Sequence, residues 1–260
     1  MAEPLSGALQ PPAPSAASAP RDPVWSGWDV LLIAVLTTVS IVCLGAVLAL
    51  VTYLAAPRSF KDNAPLLAIA AQALAYAGIA AYMVMLLEGK YHVRFWQAIR
   101  WNWPRNKAFL LLGVGVLTVA LDLLSRFLPM PKSTPFEEFF SRPRDAYLMV
   151  LFAISLGPLM EELFFRGFLY PVLQRRMGAV WGVILTAAPF GLMHYVQYRS
   201  WAAVLVIFLV GIVLTTVRAV TKSVGASFLV HVGYNATLMT LTAVATDGFR
   251  HMQKAGVLMF

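Results

Sequence analysis

The chain has 260 residues, 60% of them hydrophobic and only 12% charged, with a mean hydropathy of +0.73 and a formal net charge of +8. A soluble domain carries roughly a quarter charged residues, so composition excludes an ordinary water-soluble fold. The Lys and Arg residues sit in short stretches between apolar runs, where they set membrane topology and meet anionic headgroups, so no nucleic-acid partner is expected.

Residues 1–24 are rich in Pro, Ala and Ser, which cannot bury a core, and read as a disordered tail. The tail lacks the basic start and short apolar run of a cleavable signal peptide. Trp25 and Trp28 then mark a membrane interface, from which a membrane domain spans 25–260. Apolar runs long enough to cross a bilayer predict an all-α, polytopic transmembrane helical bundle of about seven spans. They lie near 28–55, 64–88, 107–128, 146–174, 178–198, 200–218 and 223–246.

Cys43 is the only cysteine and falls in the first run, so it forms no internal disulfide and reads as a small buried hydrophobe. Between the second and third runs, Tyr91 to Lys107 combines basic residues with Trp96, Trp101 and Trp103, which suits a segment lying in the interface. Asp122, alone in the third run, reads as a structural or interfacial partner. A second connection runs from Pro131 to Asp145 and carries Glu137 and Glu138, expected to be solvated. Lys and Arg totals on the two sides are nearly equal, and the dense basic loop at 90–107 points to a cytoplasmic N-terminus.

The last four runs hold three polar motifs: Glu161-Glu162-x-x-x-Arg166, Phe190-x-x-x-His194 and His231-x-x-x-Asn235. Ionisable groups are costly inside a bilayer, so their persistence there points to function. On an α-helix Glu162 and Arg166 share a face and can pair, whereas Glu161 points about 140° away from Arg166. Glu161 is therefore the carboxylate left for general-base chemistry. His194 and His231 can take and return protons, and the Asn235 amide can hold a developing oxyanion. If the fourth and fifth runs form a hairpin turning at Met177–Gly178, Glu161 and His194 fall at one depth, with His231 and Asn235 within a turn or two. Pro158 and Pro189 are placed to kink the helices and open a cavity. Taken singly, each motif has a structural explanation: Glu162–Arg166 as an ion-pair lock, Phe190 as packing, and either histidine as a partner of a backbone carbonyl.

Together the motifs resemble those of the CPBP family, the CAAX proteases and bacteriocin-processing (Abi) enzymes, over a core of about residues 146–246. The resemblance implies an intramembrane endopeptidase in which Glu161 and His194 activate a water. His231 and Asn235 then stabilise the oxyanion, while Glu162, Arg166 and Phe190 support the site. It also implies a peptide or protein substrate, lipidated in the case of CAAX-type substrates, or else a leader peptide.

No cofactor is expected on the preferred reading. The alternative is zinc held by Glu161, His194 and His231, although the His-Glu-x-x-His signature is missing. A non-catalytic scaffold or bacteriocin-immunity protein is a further alternative, as is a proton-coupled transporter, for which no repeated pattern of broken helices is found. The expected location is a membrane, the cytoplasmic one in a bacterial host.

Overall fold

The computed structural model describes residues 22–104, 107–131 and 133–252. The disordered tail expected at 1–24 therefore lies, for residues 1–21, outside the described residues.

Helix α1 (Gly27–Ala55) begins at a reciprocal cap: Ser26 Oγ accepts from the Asp29 N–H at 3.3 Å, and the Ser26 N–H bonds Asp29 Oδ2 at 2.8 Å. Only Asp29, Val30 and Ile33 of α1 are buried, while Leu32, Val39, Leu50 and Leu54 lie exposed. A helix apolar on every side and left uncovered by protein suits a hydrocarbon surround. Its main partner is α2 (Phe60–Met85), which widens into a π-helical turn at Leu86–Lys90. Asp29 ties this hairpin together by accepting Lys90 Nζ at 2.7 Å and the Tyr91 hydroxyl at 2.6 Å.

Residues 91–104 form the short helix α3 (Phe95–Ala98) and a chain of tryptophan edge contacts, Trp96 to Trp101 and Trp101 to Trp103. It docks under the start of the last helix, where the Val224 N–H bonds Arg100 O at 3.1 Å and the Ser223 hydroxyl bonds Asn102 O. Helix α4 (Lys107–Ser125) packs on that same last helix, with Val114 seated over Gly233.

The remainder builds the site. Helices α5 (Pro143–Ile154) and α6 (Leu156–Glu161) are separated by a non-helical Ser155 (φ −132°, ψ −87°). Pro158, which has no N–H for the carbonyl of Ile154, accounts for the break. A π-helical segment, Glu162–Leu169, leads into α7 (Tyr170–Met193) and the short α8 (Tyr195–Tyr198); α9 (Trp201–Thr221) and α10 (Val224–Ala245) follow.

Gly178 has φ 80° and ψ 173°, a backbone state open mainly to glycine, and there the chain folds back. A Cβ on Gly182 would lie 3.1 Å from Gln174 Cα, whereas residues eight apart on a straight helix are about 12 Å apart. The hairpin expected at Met177–Gly178 is thus present. Against it α9 packs closely: a Cβ on Gly191 would lie 3.0 Å from Phe208 Cβ, and one on Gly211 3.0 Å from Phe190 Cδ1. Glycines at these crossings let the two backbones approach, as in membrane helix pairs.

Five helical stretches among the described residues are long and apolar enough to cross a membrane: Gly27–Ala55, Phe60–Lys90, Pro143–Tyr198, Trp201–Thr221 and Val224–Ala245. About seven were expected. The expected fourth and fifth spans lie in one stretch of 56 residues that folds back at Gly178, and the expected third corresponds to α4, of which Gly113–Ser125 is an apolar helical stretch. Two local expectations are corrected. Cys43 is exposed on α1, because that helix is covered by protein only near its start. Trp25 is 1% exposed, drawn inside by an Nε1–H bond of 2.9 Å to Phe168 O, while Trp28 stays on the surface. Asp122 pairs with Arg126 at 2.6 Å, Glu138 is exposed, and the half-buried Glu137 caps the turn at Thr134.

Candidate active site

The first motif straddles the junction between α6 and the π-helical segment. The wider turn is visible where the Tyr170 N–H bonds Phe165 O, five residues back. Glu162 and Arg166 still meet, Nη1 to Oε1 at 2.9 Å, and both side chains are fully buried. The remaining guanidinium donors also find partners, Nε on Thr215 Oγ1 at 3.2 Å and Nη2 on Gly211 O at 3.1 Å. The guanidinium lies 4.4 Å from the centre of the Phe190 ring. A buried ion pair holds only when such further bonds complete it.

His231, from α10, reaches into this cluster. Its Nδ1 lies 2.9 Å from Glu162 Oε1, and since a carboxylate only accepts, Nδ1 carries the proton. The opposite nitrogen, Nε2, is 3.6 Å from Glu161 Oε2, too long for a hydrogen bond but within ion-pair range. One imidazole therefore stands between two adjacent glutamates of different character. Glu162 has a fully buried side chain, whereas that of Glu161 is 16% exposed.

His194 is held where α7 ends. Its N–H bonds Gly191 O at 3.2 Å in place of Phe190 O, which instead accepts from His194 Nδ1 at 2.7 Å. The carbonyl fixes the proton on Nδ1, so the neutral ring keeps its Nε2 lone pair. The Phe190 ring touches both histidines edge-on, with centroids 5.2 Å from His194 and 5.8 Å from His231. Asn235 Nδ2 donates to Ala153 O, beside the break between α5 and α6, at 2.8 Å. The amide has a second hydrogen for other use.

Glu161, Phe190, His194, His231 and Asn235 all line one cavity of about 110 Å³, to which Pro158 also contributes. That volume has room for water beside several polar groups. Glu162 and Arg166 lie behind the wall. Glu161 also borders a second, larger cavity of about 480 Å³, walled mainly by apolar side chains such as Val30, Ile79, Met83 and Phe164, with Pro189 beside them. Glu161 thus stands between a polar chamber and an apolar groove.

Sequence reasoning missed Gly211 and Thr215 of α9, which receive the Arg166 guanidinium. Their signal was a small residue followed four later by a polar one in an apolar helix. Also missed were Gln72 of α2 and Tyr198 of α8, both on the polar cavity. Among the described residues no group of three His, Cys, Asp or Glu side chains is arranged to hold a metal ion.

Residues 143–237 match the family model described as type II CAAX prenyl endopeptidase Rce1-like. No curated protein and no solved structure gives a significant match. The matched segment runs from the start of α5 to just past Asn235, so it contains all three motifs and the hairpin that joins them. Residues 143–237 are thus similar to the Rce1-like family of type II CAAX prenyl endopeptidases.

Proposed function

We propose that the protein is an intramembrane endopeptidase that attacks its peptide bond with a water held in the polar cavity by Glu161 and His194. The observation that carries this reading is the convergence of Glu161, His194, His231 and Asn235 on one cavity, reached from the ends of α6 and α7 and from α10. Glu161 takes a proton as the water oxygen bonds the scissile carbonyl carbon. The His194 Nε2 lone pair, left open by the Nδ1 bond to Phe190, orients that water. Negative charge growing on the carbonyl oxygen is met by the free Asn235 amide hydrogen and by His231, which gains a proton at Nε2 from Glu161. That proton then passes to the leaving nitrogen as the C–N bond breaks, so no covalent acyl-enzyme forms.

Glu162, bonded to His231 Nδ1 and to Arg166, keeps the imidazole aimed at Glu161. This scheme uses no metal ion; the zinc alternative, built on Glu161, His194 and His231, is tested directly by chelation. The apolar groove ending at Glu161 supports a substrate with a lipid chain beside the cleaved bond, as a prenylated CAAX-type protein has.

Purified protein in detergent is to be given matched prenylated and unprenylated CAAX peptides, with and without chelator. The reading predicts cleavage that prefers the prenylated peptide and survives the chelator. Loss of cleavage on chelation would replace the water mechanism with a metal-dependent one. Cleavage of neither peptide by folded protein would remove the CAAX-type substrate.

A further inference from the structure

A separate cavity of about 320 Å³ lies at the end of the bundle where α1 starts, α9 ends and the hairpin turns. Arg100, Arg175, Arg218 and Lys222 line it, against a single carboxylate, Asp22. That carboxylate is taken by Arg100. Arg175 bonds the carbonyls of Pro23 and Trp25, and among the described residues no carboxylate pairs with Arg175, Arg218 or Lys222.

Arg218 is the anomaly. It is 4% exposed, and a guanidinium keeps its charge under any ordinary condition. Burying it without a counter-ion, beside other cations, is unfavourable. Part of its role is local. The Tyr170 N–H has moved to Phe165 O, and Pro171, five residues after Arg166, has no N–H to offer, so Arg166 O lacks a backbone donor. Arg218 Nε supplies one at 3.2 Å. That accounts for one of five guanidinium N–H groups, and a neutral donor would serve as well. It leaves Arg218 beside Arg175 and Lys222 with one carboxylate, already paired to Arg100, lining the cavity.

We propose that this cavity binds a phosphate-bearing anion. The planar fork of Arg218, with Arg175 and Lys222 beside it, matches phosphate oxygens through charge-assisted hydrogen bonds. The site lies at the ends of membrane-crossing helices, next to the tryptophan-rich 91–104 segment, so an anionic phospholipid headgroup is one source and free phosphate the other. Bound there, the anion offsets the buried charge of Arg218, which in turn bonds the backbone of the catalytic segment.

The test follows binding itself and needs no peptidase substrate. Full-length protein in detergent is titrated with inorganic phosphate, with short-chain phosphatidylglycerol and with short-chain phosphatidylcholine, using the thermal midpoint as readout. Phosphatidylglycerol should stabilise at concentrations where phosphatidylcholine does not. Its apparent affinity should fall about tenfold or more in Lys222→Gln and in Arg175→Gln, both exposed side chains, each compared with its own ligand-free midpoint. Arg58→Gln, beyond the far end of α1, should titrate like wild type.

A response to inorganic phosphate as well as lipid would identify a general phosphate site; a response to lipid alone would identify a headgroup site. Equal responses to the two lipids with none to phosphate, or Lys222→Gln and Arg175→Gln variants that both bind like wild type, would overturn the proposal.

Discussion

The two sides of His231 are built from the same residue type, yet they differ in almost every physical respect. Behind the ring, Glu162 is sealed from solvent, bonded to Arg166 and tied through it to Thr215 and the Gly211 carbonyl on α9. In front, Glu161 borders two cavities and makes a looser approach of 3.6 Å to the imidazole. A carboxylate sealed from solvent and paired with a fixed cation holds a structure in place. One with room beside it can accept a proton from a small molecule. The proposed function divides the adjacent glutamates between support and chemistry by what packs around them.

The sharpest way to strain this division, apart from Glu161 itself, is His194→Ala. It should lower kcat on the order of 10³-fold with little change in thermal midpoint, because His194 lines the cavity and its ring bonds the Phe190 carbonyl of its own helix end. Glu162→Gln should behave in the opposite sense. It leaves Arg166 buried without its counter-charge, so unfolding in denaturant titrations should become easier by about 3–5 kcal/mol, with activity lost as a consequence. If Glu162→Gln instead kept its stability and lost only kcat, the supporting side would be catalytic too.

Asn235→Ala should reduce kcat about 10²-fold while leaving KM within a few-fold, as expected for a donor used mainly in the transition state. A KM rise with unchanged kcat would assign the amide to substrate binding. The smallest effect belongs to Trp25→Phe. Removing the Nε1 donor from Phe168 O should cost about 1–3 kcal/mol in the same denaturant titration, with per-molecule activity retained.

Much of this centre was legible in the sequence because its residues repeat at helical spacing. Glu162–Arg166 pairing, the turn at Gly178 and the meeting of three motifs at one depth follow from counting residues along helices. The π-helical segment did not follow, since nothing in Glu162–Leu169 announces a fifth-residue bond until Pro171 is seen to withhold a donor. Without it, the joint approach of Glu161 and Glu162 to His231 was also missed. Gly211, Thr215 and Arg218 sit on a helix with no motif, and their roles depend on where α9 crosses α7. The all-helical, membrane-crossing character was legible from apolar length, which gives no sign of where the 143–198 stretch folds back; five stretches are long and apolar enough to cross among the described residues.

The central claim is that Glu161 performs the chemistry while leaving the architecture to its neighbour. The most direct measurement is the single-turnover cleavage rate of Glu161→Gln against wild type on a peptide that the wild type cuts, with the thermal midpoint read on the same samples. The account predicts a rate lower by on the order of 10³-fold or more at an essentially unchanged midpoint. Cleavage at the wild-type rate by folded Glu161→Gln would contradict it.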